Sequence, residues 1–247
     1  MAEPNATSEP QVRLESGVLA GVASGPVVAY KGIPYAAPPV GERRWRPPAA
    51  ARPWSGVRRA ADYGASCIQA NAPQYVEAGS RAATLSEDCL TLNVWTPVTR
   101  ASALPVMVWL HGGANVAGAG SERFYDATAF ARDGAIAVTL NYRLGLFGFF
   151  AHKTLTDEAG NGDTANFGLL DQISALRWVH ANISAFGGDP ADVTIFGESA
   201  GGEDALVLAT SAAATGLFRR AIGESASDIW EPLPTLAQAS ARGAKVA

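Results

Sequence analysis

The sequence predicts an α/β protein with a mostly parallel central sheet. Strand-like and helix-like segments alternate along the chain, the order that builds parallel sheets through crossover helices. Residues 105–110 form a near-continuous apolar run, as expected of a strand covered on both faces. Residues 192–209 read as a short strand, a glycine-framed turn and a helix in direct succession.

In chain order, residues 1–10 are polar and read as a disordered leader. Residues 11–37 carry short apolar runs broken by glycine and proline, expected to form small antiparallel strands at the start of the sheet. Residues 38–60, with five prolines, are expected to be mostly loop, with Trp45 and Trp54 as packing anchors. Strands are expected over 90–96, 105–110 and 135–141. Leu169, Ile173, Leu176, Val179 and Ile183 recur at helical steps and predict a helix over 165–184. A strand over 192–196, a helix over 199–209 and a strand over 220–223 follow, and alanine-rich residues 235–247 read as a last helix.

The chemistry concentrates at Gly197-Glu198-Ser199-Ala200-Gly201. A Gly-x-Ser-x-Gly turn between strand and helix lifts the serine hydroxyl clear of the backbone, and its glycines tolerate a bend where a Cβ would clash. The following helix aims backbone N–H groups at the site where negative charge develops. By itself the pentapeptide is weak, since a chain with 26 glycines produces such turns by chance. Two features favour the functional reading: the strand–turn–helix setting, and a second segment upstream. There an apolar strand runs into His111-Gly112-Gly113-Ala114, a turn of the kind that supplies oxyanion-hole N–H donors. Ser199 is therefore the candidate nucleophile.

Composition excludes several alternatives. A net charge of −4 without blocks of like charge argues against nucleic-acid binding and against a basic membrane-surface patch. No apolar run approaches the ~18–20 residues of a membrane-spanning helix. No His, Cys and carboxylate cluster has metal-ligand spacing, so neither a metal nor a cofactor is expected. Residues 1–10 lack the basic start and apolar core of a signal peptide, which slightly favours the cytoplasm.

The chain resembles the type-B carboxylesterase/lipase family, which includes para-nitrobenzyl esterases and cholinesterases. Two motifs carry the resemblance: Phe186-Gly187-Gly188 through Gly201, and Glu87-Asp88-Cys89-Leu90-Thr91-Leu92-Asn93-Val94-Trp95-Thr96-Pro97. Asn141-Tyr142-Arg143-Leu144-Gly145, residues 166–172 and Gly32-Ile33-Pro34-Tyr35-Ala36 with Arg44-Trp45 add to it. The resemblance implies an α/β-hydrolase fold over residues 11–247. It corresponds to the N-terminal half of such an enzyme, with the C-terminal strands missing. It makes Ser199 the nucleophile and the N–H groups of Gly113, Ala114 and Ala200 the oxyanion hole, with Gly112 shaping the turn. Glu198 and Ser225 match positions that flank the family's site. It also implies a disulfide between Cys67 and Cys89, otherwise read as two buried thiols; this pair leaves export open. Arg44 with Glu87, and Arg143 with Asp171, match structural ion pairs.

The sequence departs from the family pattern at Asn115, where an aromatic residue is usual, and at Glu203-Asp204, where a pair of small residues is usual. The first is expected to alter the acyl-pocket wall. The second would be costly if buried without partners. No histidine follows Ser199, and neither His152 nor His180 has the chain order expected of the base; both are expected to be exposed. The implied function is hydrolysis of small carboxylic esters through a serine acyl-enzyme, with the acid and histidine of the triad beyond residue 247. The alternatives are an inactive fragment, a non-catalytic binding module like the neuroligins, or one half of a split esterase whose C-terminal half is another chain.

Overall fold

The computed structural model describes residues 9–69, 84–99, 102–160, 165–226 and 234–247. The leader expected over residues 1–10 lies outside the described residues except for Glu9 and Pro10. The chain opens with β1 (Gln11–Leu14), β2 (Gly17–Ala20), β3 (Val22–Ser24) and β4 (Val27–Pro34). β1 and β2 pair antiparallel, as the short apolar runs predict. The next pair does not stay with them: β3 and β4 join the central sheet. The chain departs at Gly21, where a Cβ would fall 2.6 Å from the Tyr30 ring, so only glycine fits the crossing.

The segment expected to be loop contains a strand, β5 (Val57–Arg59), paired parallel to β2. All three of its residues are exposed, so it carries no apolar alternation and only its backbone pairing marks it. β6 (Ser66–Cys67) and β7 (Leu85–Ser86) form a two-residue parallel pair.

The central sheet holds β8 (Thr91–Pro97), β9 (Leu104–Leu110), β10 (Ile136–Leu140), β11 (Gly188–Glu198) and β12 (Arg220–Glu224) in the order β12-β11-β9-β10-β8-β4-β3. Among the described residues its pairings divide evenly. The half from β12 to β10 is parallel, and the half from β10 to β3 antiparallel. The parallel half carries the site. β11 begins four residues before the expected strand because its register shifts between Gly188 and Val193, across a proline that cannot donate to the ladder.

The described residues hold six α-helices. α1 (Thr128–Arg132), α2 (Gly145–Phe149) and α3 (Lys153–Ala159) are two turns or less and were not legible as periodicity. α4 (Phe167–Asn182) continues as a 3-10 turn over Ile183–Phe186, covering the expected 165–184 helix. α5 (Ala200–Thr210) follows the glycine-framed turn, and α6 (Leu236–Gly243) starts at a capping box between Thr235 and Gln238. Of these, α1, α4 and α5 pack on the central sheet. The core lies along β9, β10 and β8, where Val106, Val108, Leu110, Val138, Leu140, Leu92 and Val94 are fully buried. Leu176, Val179 and Phe186 close it, Phe186 meeting Tyr30 edge-on at 5.1 Å. No described helix is long and apolar enough to cross a membrane.

Candidate active site

Ser199 stands between β11 and α5 with φ 54° and ψ −129°, a conformation costly for a residue with a Cβ. Both sides of the turn hold it there. The Ser199 N–H donates to the Glu224 carbonyl of β12 at 2.9 Å, and its own carbonyl accepts from the Glu203 N–H at 2.9 Å. The flanking glycines are required by packing. A Cβ at Gly201 would lie 2.1 Å from the Leu110 carbonyl oxygen, and one at Gly197 would lie 2.4 Å from the Gly201 carbonyl carbon. The end of β9 therefore runs directly against the turn.

That contact brings the two predicted segments together. A Cβ on Gly112 would sit 3.3 Å from the Ser199 Cβ and 2.8 Å from the Glu198 carbonyl oxygen. Beyond it, Gly113 (φ 103°), Ala114 (φ 54°) and Asn115 (φ 57°) all occupy the left-handed region. Val116 and Ala117 donate to the Gly113 carbonyl at 3.0 Å each, and Gly145 donates to the Asn115 carbonyl at 2.7 Å. Among the described residues no backbone carbonyl accepts from the N–H of Gly113 or Ala114. Ala200 opens α5, so its N–H is one of the four the helix cannot satisfy internally. Glu198 and Ser225 are exposed at the ends of the paired strands β11 and β12, Ser225 with φ 52°.

The histidines sit elsewhere in the local network. His111 is buried, its ring stacked on Tyr142 at 4.3 Å and its Nδ1 2.8 Å from the Gly112 carbonyl. Burial pushes its pKa down to about 4, so it is neutral. The Tyr142 hydroxyl donates to the His111 carbonyl at 2.7 Å, which fixes the approach to the turn. His152 is half-buried rather than exposed, because it caps α3: its Nδ1 accepts from the Thr154 N–H at 3.3 Å. His180 is exposed on α4.

Asp204, one turn into α5, is buried, and its carboxylate has partners. Gln172 of α4 donates to its Oδ2 at 2.5 Å, and Asn115 donates Nδ2–H to its Oδ1 at 3.2 Å. Burial pushes Asp204 up to about 6, against the pull of those two bonds. Asn115, where an altered acyl-pocket wall is expected, turns its amide to this carboxylate. Sequence reading singled out both residues but not their pairing. Among the described residues the amide oxygens of Asn115 and Gln172 are buried without a hydrogen-bond partner.

Cys67 and Cys89 form a disulfide with Cα atoms 5.0 Å apart. Arg143 and Asp171 pair in the core, and Arg44 and Glu87 pair near the surface. Among the described residues no group of three His, Cys, Asp or Glu could hold a metal ion.

A family model described as the carboxylesterase family matches residues 8–245. The chain is 45% identical over 240 residues to a fumonisin B1 esterase from Sphingopyxis macrogoltabida, covering 96% of this chain and 44% of that protein. It is 49% identical over 218 residues to a para-nitrobenzyl esterase from Bacillus subtilis (strain 168), covering 87% and 43%. Among solved structures it is similar to a PNB esterase at TM-score 0.86 and 44% identity, over 96% of this chain and 47% of that one. A Geobacillus stearothermophilus carboxylesterase aligns at TM-score 0.77 and 45% identity, over 85% and 42%. The chain thus spans under half the length of the relatives it matches.

Proposed function

Because the chain belongs to the carboxylesterase family, we propose that it carries the nucleophile of a serine ester hydrolase acting on small carboxylic esters. Ser199 Oγ attacks the ester carbonyl carbon as its proton passes to the base of the triad, and the carbonyl electron pair moves onto oxygen. The N–H groups of Gly113, Ala114 and Ala200 hold that oxyanion. Collapse expels the alcohol, which leaves with a proton from the base, and water then releases the acid from the acyl-serine. The observation that carries this reading is the packing of Gly112 against the strained Ser199 turn, 3.3 Å from a glycine Cβ position to the serine Cβ.

The acid and base of the triad would come from a segment corresponding to the remaining length of the relatives, in the same polypeptide or as a second chain. Two observations support this. Each histidine of the chain has a local role or an exposed position: His111 beside Tyr142, His152 capping α3, His180 on the α4 surface. And β12, whose Glu224 carbonyl bonds the Ser199 N–H, is exposed at four of its five residues, with Ile222 44% exposed. Among the described residues β12 is the edge of the parallel half beside the nucleophile, a template for further strands. The same histidine placement favours the competing reading, a catalytically silent binding module.

Acylation separates the two. The purified chain and its Ser199→Ala variant are incubated with p-nitrophenyl acetate and digested for mass spectrometry. The expected result is slow p-nitrophenol release that leaves an acyl group on the peptide bearing Ser199, because the oxyanion hole still stabilises attack by the serine while deacylation lacks its base. Equal p-nitrophenol release by both proteins, with no acyl-serine, would overturn the esterase reading.

A further inference from the structure

The turn proposed as the oxyanion hole is held in an expensive shape. Ala114 and Asn115 are consecutive non-glycine residues with φ near +55°, a region that most residues with a Cβ avoid. Such a conformation persists only where the surroundings over-determine it. Backbone bonds within the loop supply part of the restraint. The Asn115 side chain supplies a contact that reaches from it to α5, where it meets Asp204, 89 residues away.

That bond has a specific placement. The proposed oxyanion hole draws its donors from two segments, the Gly113–Ala114 turn and the first residue of α5. Asn115 follows the first segment directly, and Asp204 lies one turn along the second. Their hydrogen bond ties the two halves of the hole together. Gln172 anchors the carboxylate from the other side, on α4.

We infer that Asp204, acting through Asn115, is a positioning residue that sets the spacing between the Gly113–Ala114 turn and α5. Neither side chain need touch the substrate. The inference rests on the proposed esterase activity for its kinetic consequence but not for its structural one.

The rate constant for Ser199 acylation by p-nitrophenyl acetate is measured with the saturation constant for the ester. The proteins are the parent chain, Asn115→Gly, Asp204→Ala, Asp204→Asn and the double variant Asn115→Gly/Asp204→Ala. Glycine keeps the positive φ and removes only the bond. Asn115→Gly and Asp204→Ala are each expected to slow acylation about 10- to 100-fold, the penalty for small misplacement of a reacting group, with little change in the saturation constant. The double variant should lose no more than the worse single one, since both remove the same interaction. Asp204→Asn should restore most of the rate, because an amide can accept from one neighbour and donate to the other once that neighbour's amide turns its oxygen toward it. Additive losses, or an Asp204→Asn variant as slow as Asp204→Ala, would overturn the inference. If the parent chain acylates no faster than Ser199→Ala, the esterase proposal fails and hydrogen exchange decides. The amides of Val116, Ala117 and Gly145, which bond the carbonyls of the turn, should then exchange at least about tenfold faster in Asn115→Gly than in the parent, while β9 amides stay unchanged. Equal exchange at those three amides would overturn it.

Discussion

Asp171 accepts three hydrogen bonds from Arg143 alone: from the backbone N–H at 3.1 Å, from Nε at 2.7 Å and from Nη2 at 2.7 Å. The side chains are 0% and 3% exposed. The carboxylate thereby fixes both the backbone and the guanidinium of the segment after β10 that passes the Gly113–Asn115 turn, where Gly145 N–H reaches the Asn115 carbonyl. Removing Asp171 would leave a buried guanidinium unpaired. Asp171→Ala should cost about 3–5 kcal/mol in urea unfolding, and Asp171→Ala/Arg143→Met less than the sum of its parts. Glu87→Ala, which breaks the bidentate pair with the partly exposed Arg44, should cost much less, and its effect should shrink in high salt. Equal losses at the two sites would contradict this ordering.

Gly201 separates contact from conformation. Its added Cβ would meet the Leu110 carbonyl oxygen at 2.1 Å, a backbone atom that cannot swing aside. At Gly216, with φ +80° and nothing within 4 Å, alanine meets only backbone strain, ~1–2 kcal/mol. Gly201→Ala should therefore lower the thermal midpoint more than Gly216→Ala, and it should also abolish Ser199 acylation by pushing β9 away from the turn. A Gly201→Ala protein with the parent's melting temperature and acylation would show that β9 does not need the close approach.

The disulfide closes a 22-residue separation between Cys67 and Cys89, both nearly fully buried, and ties the segment before β7 to the start of β8. Restricting the unfolded chain over a loop of that length gives ~3 kcal/mol. Unfolding in urea with and without reductant should differ by about that amount, and Cys67→Ala/Cys89→Ala should match the reduced protein. If reductant leaves the midpoint unchanged, the bond contributes nothing to stability.

What was legible in the sequence follows from locality. The strand–turn–helix around Ser199 is written in adjacent residues, so its elements lie close to where periodicity and glycine spacing put them. α1, α2 and α3 are too short to show a period. The transfer of β3 and β4 to the central sheet depends on the pairing of Val28 with Thr96 and of Tyr30 with Val94, which no local pattern encodes. Asn115 and Asp204 were each visible as departures from a family pattern. Their bond was not, because only the packing of the loop after β9 on α5 brings positions 89 apart into contact.

The last prediction opposes two buried groups. Burial raises Asp204 from 3.8 to about 6 in the folded protein, so between those values the folded state holds the proton that the unfolded state has lost, and stability falls as pH rises. Burial lowers His111 from 6.5 to about 4, so the unfolded state holds the extra proton and stability rises with pH over nearly the same window. The two slopes offset one another, each about 1.4 kcal/mol per pH unit. The groups facing Asp204 are the Gln172 and Asn115 amides, the neighbouring Glu203 and the Tyr142 phenol. Asp171 is also raised by burial and persists in every variant, so differences between variants isolate Asp204. Asp204→Asn should gain on the parent steadily from pH 4 to pH 6, reaching roughly 3 kcal/mol, and run parallel to it above that. Urea unfolding of both proteins across that range checks the sign: a constant difference at every pH would mean that Asp204 stays ionised in the folded protein throughout.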